Sequence, residues 1–246
     1  MREMNKASIL KIIRGGLVVS CQALENEPLH GSHIMARMAL AAKEGGAVGI
    51  RANSGQDIRA IKEATALPVI GIVKRYYEQC EIYITPTLKE VEEVVNAGAE
   101  IIAIDGTNRQ RPDGGKLEKF VCSIRKEFPE ILLMADISTL EEGLLASQYA
   151  VDIVAPTLSG YTSYSSQQPG PDLNLIESLV KQIPLPIIAE GKLRTPEEVE
   201  ICFEKGVWSV VVGSAITRPQ EITRWFVERL KKEEGYDLFT RRKYDD

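Results

Sequence analysis

Apolar residues in this chain cluster into eight short runs rich in β-branched side chains, at residues 17–22, 47–51, 69–74, 100–105, 131–136, 151–156, 186–190 and 208–213. A run that is apolar on both faces marks a strand covered on both sides, the pattern of a parallel sheet wrapped by helices. Between the runs the apolar positions change to helical spacing and predict helices over 33–44, 55–64, 88–97, 116–128, 139–148, 172–182, 196–205 and 219–231. A further helix over 8–13 stops at Gly15-Gly16, placed to cover the bottom of a barrel. Eight strands alternating with eight helices predict one α/β domain, a (β/α)8 TIM barrel over 1–232 with an N-terminal capping helix. Residues 233–246 are charged and aperiodic and read as a surface tail. The alternative is a doubly wound open sheet, which more often has five or six such units.

Composition narrows the function without choosing it. A length of 246 residues suits a single barrel. The net charge of -5, with no basic block outside Arg241-Arg242-Lys243, argues against a nucleic-acid partner. No run approaches the roughly 20 apolar residues that a membrane span needs, and no secretory signal is visible, so no membrane partner is expected. Cys21, Cys80, Cys122 and Cys202 are widely spaced, which suggests neither zinc nor a disulfide framework but reduced thiols in a cytoplasm. His30 and His33 lack a carboxylate at metal spacing and read as exposed. Oligomeric state is not legible, although barrels of this size often associate through outer helices and a homodimer is allowed.

Chemistry in such a barrel sits at the C-terminal strand ends. Those ends are Gln22, Arg51, Lys74, Asp105, Asp136, Glu190 and Gly213. Residues two and four places earlier, such as Val18, Ala47, Ile70 and Leu132, are small or apolar and would form a packed floor under a polar mouth. Lys74 either leads out to water or sits in a pocket that lowers its pKa. Facing the mouth, it would be pushed down by Arg51 and Lys192 and up by Glu190. A lysine so tuned abstracts a proton beside a carbonyl or forms a Schiff base, and the residues do not choose between these. The loops after runs seven and eight, Gly191 to Glu198 and Gly213-Ser214 to Arg218-Pro219, supply glycines, a Thr-Pro-x-Glu helix start and an arginine. Phosphate is commonly held there in this fold. Tyr161, Thr162 and Tyr164 lie in a polar loop that serves either as a lid or as a plain connection.

The stretches Ser20-Cys21-Gln22-Ala23-Leu24, Gly49-Ile50-Arg51-Ala52-Asn53, Gly71-Ile72-Val73-Lys74-Arg75, Tyr83-Ile84-Thr85-Pro86-Thr87, Asp136-Ile137-Ser138-Thr139, Ala189-Glu190-Gly191 and Gly213-Ser214-Ala215-Ile216-Thr217-Arg218-Pro219 together resemble the N-acetylmannosamine-6-phosphate 2-epimerase family. The resemblance runs over nearly the whole chain. It implies a barrel that interconverts N-acetylmannosamine 6-phosphate and N-acetylglucosamine 6-phosphate in amino-sugar and sialic acid catabolism, without metal, nucleotide or other cofactor. It further implies Lys74 as the catalytic lysine that moves the C2 proton and Glu190 as its acidic partner. Gln22, Arg51 and Asp136 would hold the sugar. Arg218 with the Gly191-Lys192 and Gly213-Ser214 loops would grip the phosphate. One departure is Lys192, where several family members carry a small residue. The rival readings are a Schiff-base aldolase acting through Lys74 on a phosphorylated sugar acid, and a non-catalytic sugar-phosphate-binding barrel.

Overall fold

The strand and helix alternation closes on itself. The computed structural model describes residues 5–232, so the tail expected at 233–246 lies outside the described residues. The elements are α1 (Lys6–Ile13), β1 (Leu17–Cys21), α2 (Ser32–Glu44), β2 (Gly49–Asn53), α3 (Gly55–Thr65), β3 (Val69–Ile72), α4 (Leu88–Asn96), β4 (Ile101–Asp105) and α5 (Leu117–Glu127). They continue with β5 (Leu132–Asp136), α6 (Leu140–Ser147), β6 (Ile153–Ala155), α7 (Leu173–Gln182), β7 (Ile188–Glu190), α8 (Pro196–Glu204), β8 (Ser209–Val212), α9 (Ser214–Thr217) and α10 (Pro219–Lys232). The strands hydrogen-bond in the order β6-β5-β4-β3-β2-β1-β8-β7, all parallel. Closure comes from a parallel bridge between Val154 and Ile187, with the Val154 N–H donating to Pro186 O at 3.1 Å. This is a (β/α)8 barrel, not an open sheet.

Two apolar layers account for the unbroken runs. Inside the barrel Val18, Ile70, Ile72, Ile101, Ala103, Leu132, Met134, Ile188 and Val211 pack together, with Ile9 and Ile13 of α1 plugging the bottom. Outside, Val19, Cys21, Ile50, Ile102, Leu133 and Val210 meet the helices. Ala47, expected in the interior, belongs to this outer layer, because β2 begins two residues later than its apolar run. Threonine starts serve α6 and α8: the hydroxyls of Thr139 and Thr195 accept the N–H groups of Glu142 and Glu198, whose carboxylates reach back to the cap N–H.

Gly71 on β3 shows how tightly the outer layer sits. A Cβ there would lie 2.5 Å from Val94 Cγ1, 2.8 Å from Ala99 Cβ and 2.9 Å from Ile58 Cδ1. Gly71→Ala should therefore cost about 1–3 kcal/mol through overpacking. Thermal unfolding should show it as a Tm lowered by a few degrees per kcal/mol, and an unchanged Tm would contradict this packing.

Candidate active site

Five of the seven strand ends, Gln22, Arg51, Lys74, Glu190 and Gly213, converge on a cavity of about 410 Å³ at the C-terminal mouth, while Asp105 is buried against Arg109 and Thr107. Gln22, Arg51, Lys74, Glu190, Gly191, Lys192, Gly213, Ser214 and Arg218 all line it, with Ser20, Tyr83, Ile84, Thr157, Tyr161, Arg194 and Trp225. Asp136 is the one expected site residue that lies behind the wall. It is fully buried beneath Arg51 and binds it through two contacts, Nη1–Oδ1 at 3.1 Å and Nη2–Oδ2 at 2.5 Å. The same Nη1 donates to Glu190 Oε2 at 2.5 Å, so one buried guanidinium ties β2 to β5 and β7 across the barrel. Thr157 supports the arrangement by donating to Asp136 Oδ1 at 2.7 Å.

Lys74 lies two residues past the end of β3, where its run was expected to continue as strand. Its ammonium forms no side-chain hydrogen bond or ion pair with any described residue. Burial, then the nearby Arg51 and Arg218 charges, lower its pKa to about 8 against the opposing pull of Glu190 and Glu27. Arg218 thus fills the electrostatic part expected of Lys192. Burial raises the Glu190 carboxyl, Arg51 pulls it back, and Asp136 pushes it up again, leaving it raised to about 7. The cavity therefore holds an amine and a carboxyl whose pKa values have both moved toward neutrality, the condition for proton transfer near pH 7.

The loops after β7 and β8 add cations to the cavity wall. Gly191 has φ 116° and Lys192 φ 57°, a left-handed turn that bares backbone at the end of β7. The Lys192 ammonium donates to Gln168 O at 2.7 Å and lies 5.5 Å from the centre of the Tyr161 ring, so it clasps the 157–171 loop over the mouth. Arg218 pairs with Glu27 at 3.0 Å, and the Arg194 guanidinium stacks on Trp225. Ser214 to Thr217, expected as loop, makes the single turn α9 with Gly213 at its cap. His30 and His33 are exposed, as expected. Among the described residues no cluster of three or more His, Cys, Asp or Glu could hold a metal ion, and no helix is long and apolar enough to cross a membrane.

Several lining residues escaped the sequence reading. Tyr83 and Ile84 reach the mouth because the loop after β3 doubles back, and Trp225 arrives from the last helix. Tyr83 and Ile84 stand in a stretch that carries the family resemblance but were not expected to line the site, and Trp225 carries no local signal. Thr157 was within reach, as the first polar residue past β6.

A closed (β/α)8 barrel whose mouth gathers an amine and a carboxyl of shifted pKa beside Lys192, Arg194 and Arg218 is the architecture of a barrel enzyme. Residues 35–232 match the family model described as "Putative N-acetylmannosamine-6-phosphate epimerase", and the chain belongs to that epimerase family. Curated relatives under the corresponding 2-epimerase description include proteins from Clostridioides difficile, 55% identical across 91% of this chain and 99% of the relative, and from Caldanaerobacter subterraneus, 53% identical across 91% and 94%. The solved N-acetylmannosamine-6-phosphate 2-epimerase of Clostridium perfringens superposes with a TM-score of 0.89 at 50% identity, covering 93% of this chain and 99% of that one.

Proposed function

We propose that this chain interconverts N-acetylmannosamine 6-phosphate and N-acetylglucosamine 6-phosphate by moving the proton at C2, with Lys74 as the base. The carrying observation is the Lys74 amine, free of ion pairs among the described residues and lowered to about 8 inside the cavity. In the open-chain sugar C2 lies beside the C1 aldehyde, so breaking the C2–H bond sends its electrons into an enolate while the neutral amine takes the proton. Inversion requires a proton to return on the opposite face, from a second protein acid or from a hydroxyl of the sugar itself. Glu190 is the acidic partner, raised enough to carry a proton near neutral pH. Gln22 and Arg51 hold the sugar, and Asp136 behind the wall fixes the Arg51 guanidinium. Arg218 and the backbone of the Gly191-Lys192 and Gly213-Ser214 turns take the phosphate, an assignment supported by the surplus of cations on those loops. We place the enzyme in a cytoplasm, in keeping with its free cysteines.

The test is incubation of each epimer in D2O. Loss of the C2 proton signal with appearance of the other epimer is the expected result. Cleavage, with a borohydride-trapped adduct on Lys74, would favour the aldolase reading, and binding without either event would favour a sensor.

The two shifted groups also set a pH profile. Lys74 must be neutral and Glu190 protonated, so kcat/KM should be bell-shaped, with limbs near 7 and 8 that belong to the pair. Activity falls at low pH as the amine gains its proton and at high pH as the carboxyl loses its own. Glu190→Gln should abolish the alkaline limb and keep the acid one. Survival of the alkaline limb would remove Glu190 from the acid role.

A further inference from the structure

The support of Lys74 is unusual for a barrel strand end. β3 hydrogen-bonds β4 only at the pairs Ile70–Ile101 and Gly71–Ile102. Above them the chain returns and inserts residues 83–85 into the gap. Lys74 bridges Ile84 in antiparallel sense, the Arg75 N–H donates to Tyr83 O at 2.9 Å, and the Thr85 N–H donates to Val73 O at 2.8 Å. On the far side the Asp105 N–H donates to Ile84 O at 3.1 Å. The lysine therefore stands on a stub held by a wedge, not on a strand continuously paired to its neighbours.

Two side chains take the last amides of that stub. The Val73 N–H donates to Thr85 Oγ1 at 3.3 Å, and the Thr85 hydroxyl donates in turn to Ala103 O of β4 at 2.7 Å. The Lys74 N–H donates to Asn53 Oδ1 at 2.8 Å, from the end of β2, the strand that carries Arg51. Thr85 is fully buried and has φ 44°. A β-branched residue rarely occupies that region, and such a conformation persists only where its surroundings over-determine it.

We propose that Thr85 and Asn53 are positioning residues for the proton transfer, fixing the consecutive Ile72–Val73 and Val73–Lys74 peptides between β2 and β4 and thereby the direction in which the Lys74 amine enters the cavity. This rests on the reading of Lys74 as the base. The amine has no bonded partner of its own among the described residues, so its flexible stem is aimed by its backbone anchor and by the cavity walls. Charged groups face it from every side: Arg51 on β2, Arg218 after α9, Glu190 on β7 and Glu27 in the loop after β1. Displacement by about 1 Å can cost on the order of 100-fold in rate.

Thr85→Val keeps the shape and deletes the hydroxyl, Thr85→Ser returns it, and Asn53→Ala removes the second anchor. Thr85→Val and Asn53→Ala should each lower kcat by about 10–100-fold with KM nearly unchanged. The pH midpoint for labelling Lys74 with trinitrobenzenesulfonate, read by mass spectrometry, should rise from about 8 toward an ordinary lysine value. Thr85→Ser should restore both readouts. If Thr85→Val fails to fold, Asn53→Ala at the half-buried rim carries the same test. Wild-type kcat in the soluble variants, or a lowered kcat with the labelling midpoint unmoved, overturns the proposal. The underlying reading of Lys74 fails separately, through C2 exchange that survives removal of the amine.

Discussion

Lys74→Met should abolish deuterium exchange at C2 of both epimers while making the protein more stable. Removal of a general base commonly costs 10²- to 10⁴-fold, and here no other amine in the cavity is so placed, since Lys192 is bound to Gln168. The stability gain follows from linkage. The Lys74 pKa falls from 10.5 to about 8 on folding, so between those values the unfolded chain holds the extra proton and stability of the wild type rises with pH. Below about 8 the folded protein bears the full cost of keeping a charged amine in the cavity. Allowing for partial solvent access, Met should gain on the order of 2 kcal/mol at pH 7, shrinking toward zero near pH 10. Urea unfolding at the two pH values measures this. C2 exchange in the variant would falsify the assignment of the base, whereas an unchanged stability gap would show that the amine reaches water freely.

The barrel was legible because each strand must bury both faces. Runs such as Ile101 to Asp105 and Leu132 to Asp136 are apolar until the last residue, so the polar residue that ends each run marks the C-terminal end of its strand. That regularity picks out Gln22, Arg51, Lys74, Asp105, Asp136, Glu190 and Gly213, and the cavity gathers all but Asp105 and Asp136 at its surface, Asp105 being buried against Thr107 and Arg109. What stayed hidden depends on contacts between elements distant in sequence. Barrel closure rests on the bridge between Val154 and Ile187, which no local pattern announces. The wedge at 83–85 lies in a stretch that reads as polar loop, and its role is visible only once Ile84 is seen filling the gap beside β4. Lys192 was read as a phosphate-side cation from its position after a glycine, but the left-handed turn aims its ammonium at the Gln168 carbonyl.

Arg51 illustrates why the most buried ion pair of the site is better explained by function than by stability. Asp136→Ala should destabilise the protein by about 3–5 kcal/mol, because it leaves the guanidinium, 1% exposed, with Glu190 as its only carboxylate partner among the described residues. The same change removes one of the groups that raise Glu190, so any residual activity should show its alkaline limb displaced to lower pH. The decisive comparison is the double variant Arg51→Met with Asp136→Leu. Replacing a buried pair by apolar side chains of similar volume is often neutral or stabilising, and Glu190, which loses its cation, can stay protonated below about pH 7, so unfolding there should return to within about 1 kcal/mol of the wild type. Activity should not return, because the guanidinium that binds Glu190 at the cavity wall is gone. Recovery of activity along with stability would mean that the ion pair only props up the barrel, and that Arg51 neither holds the sugar nor tunes the carboxyl beside it.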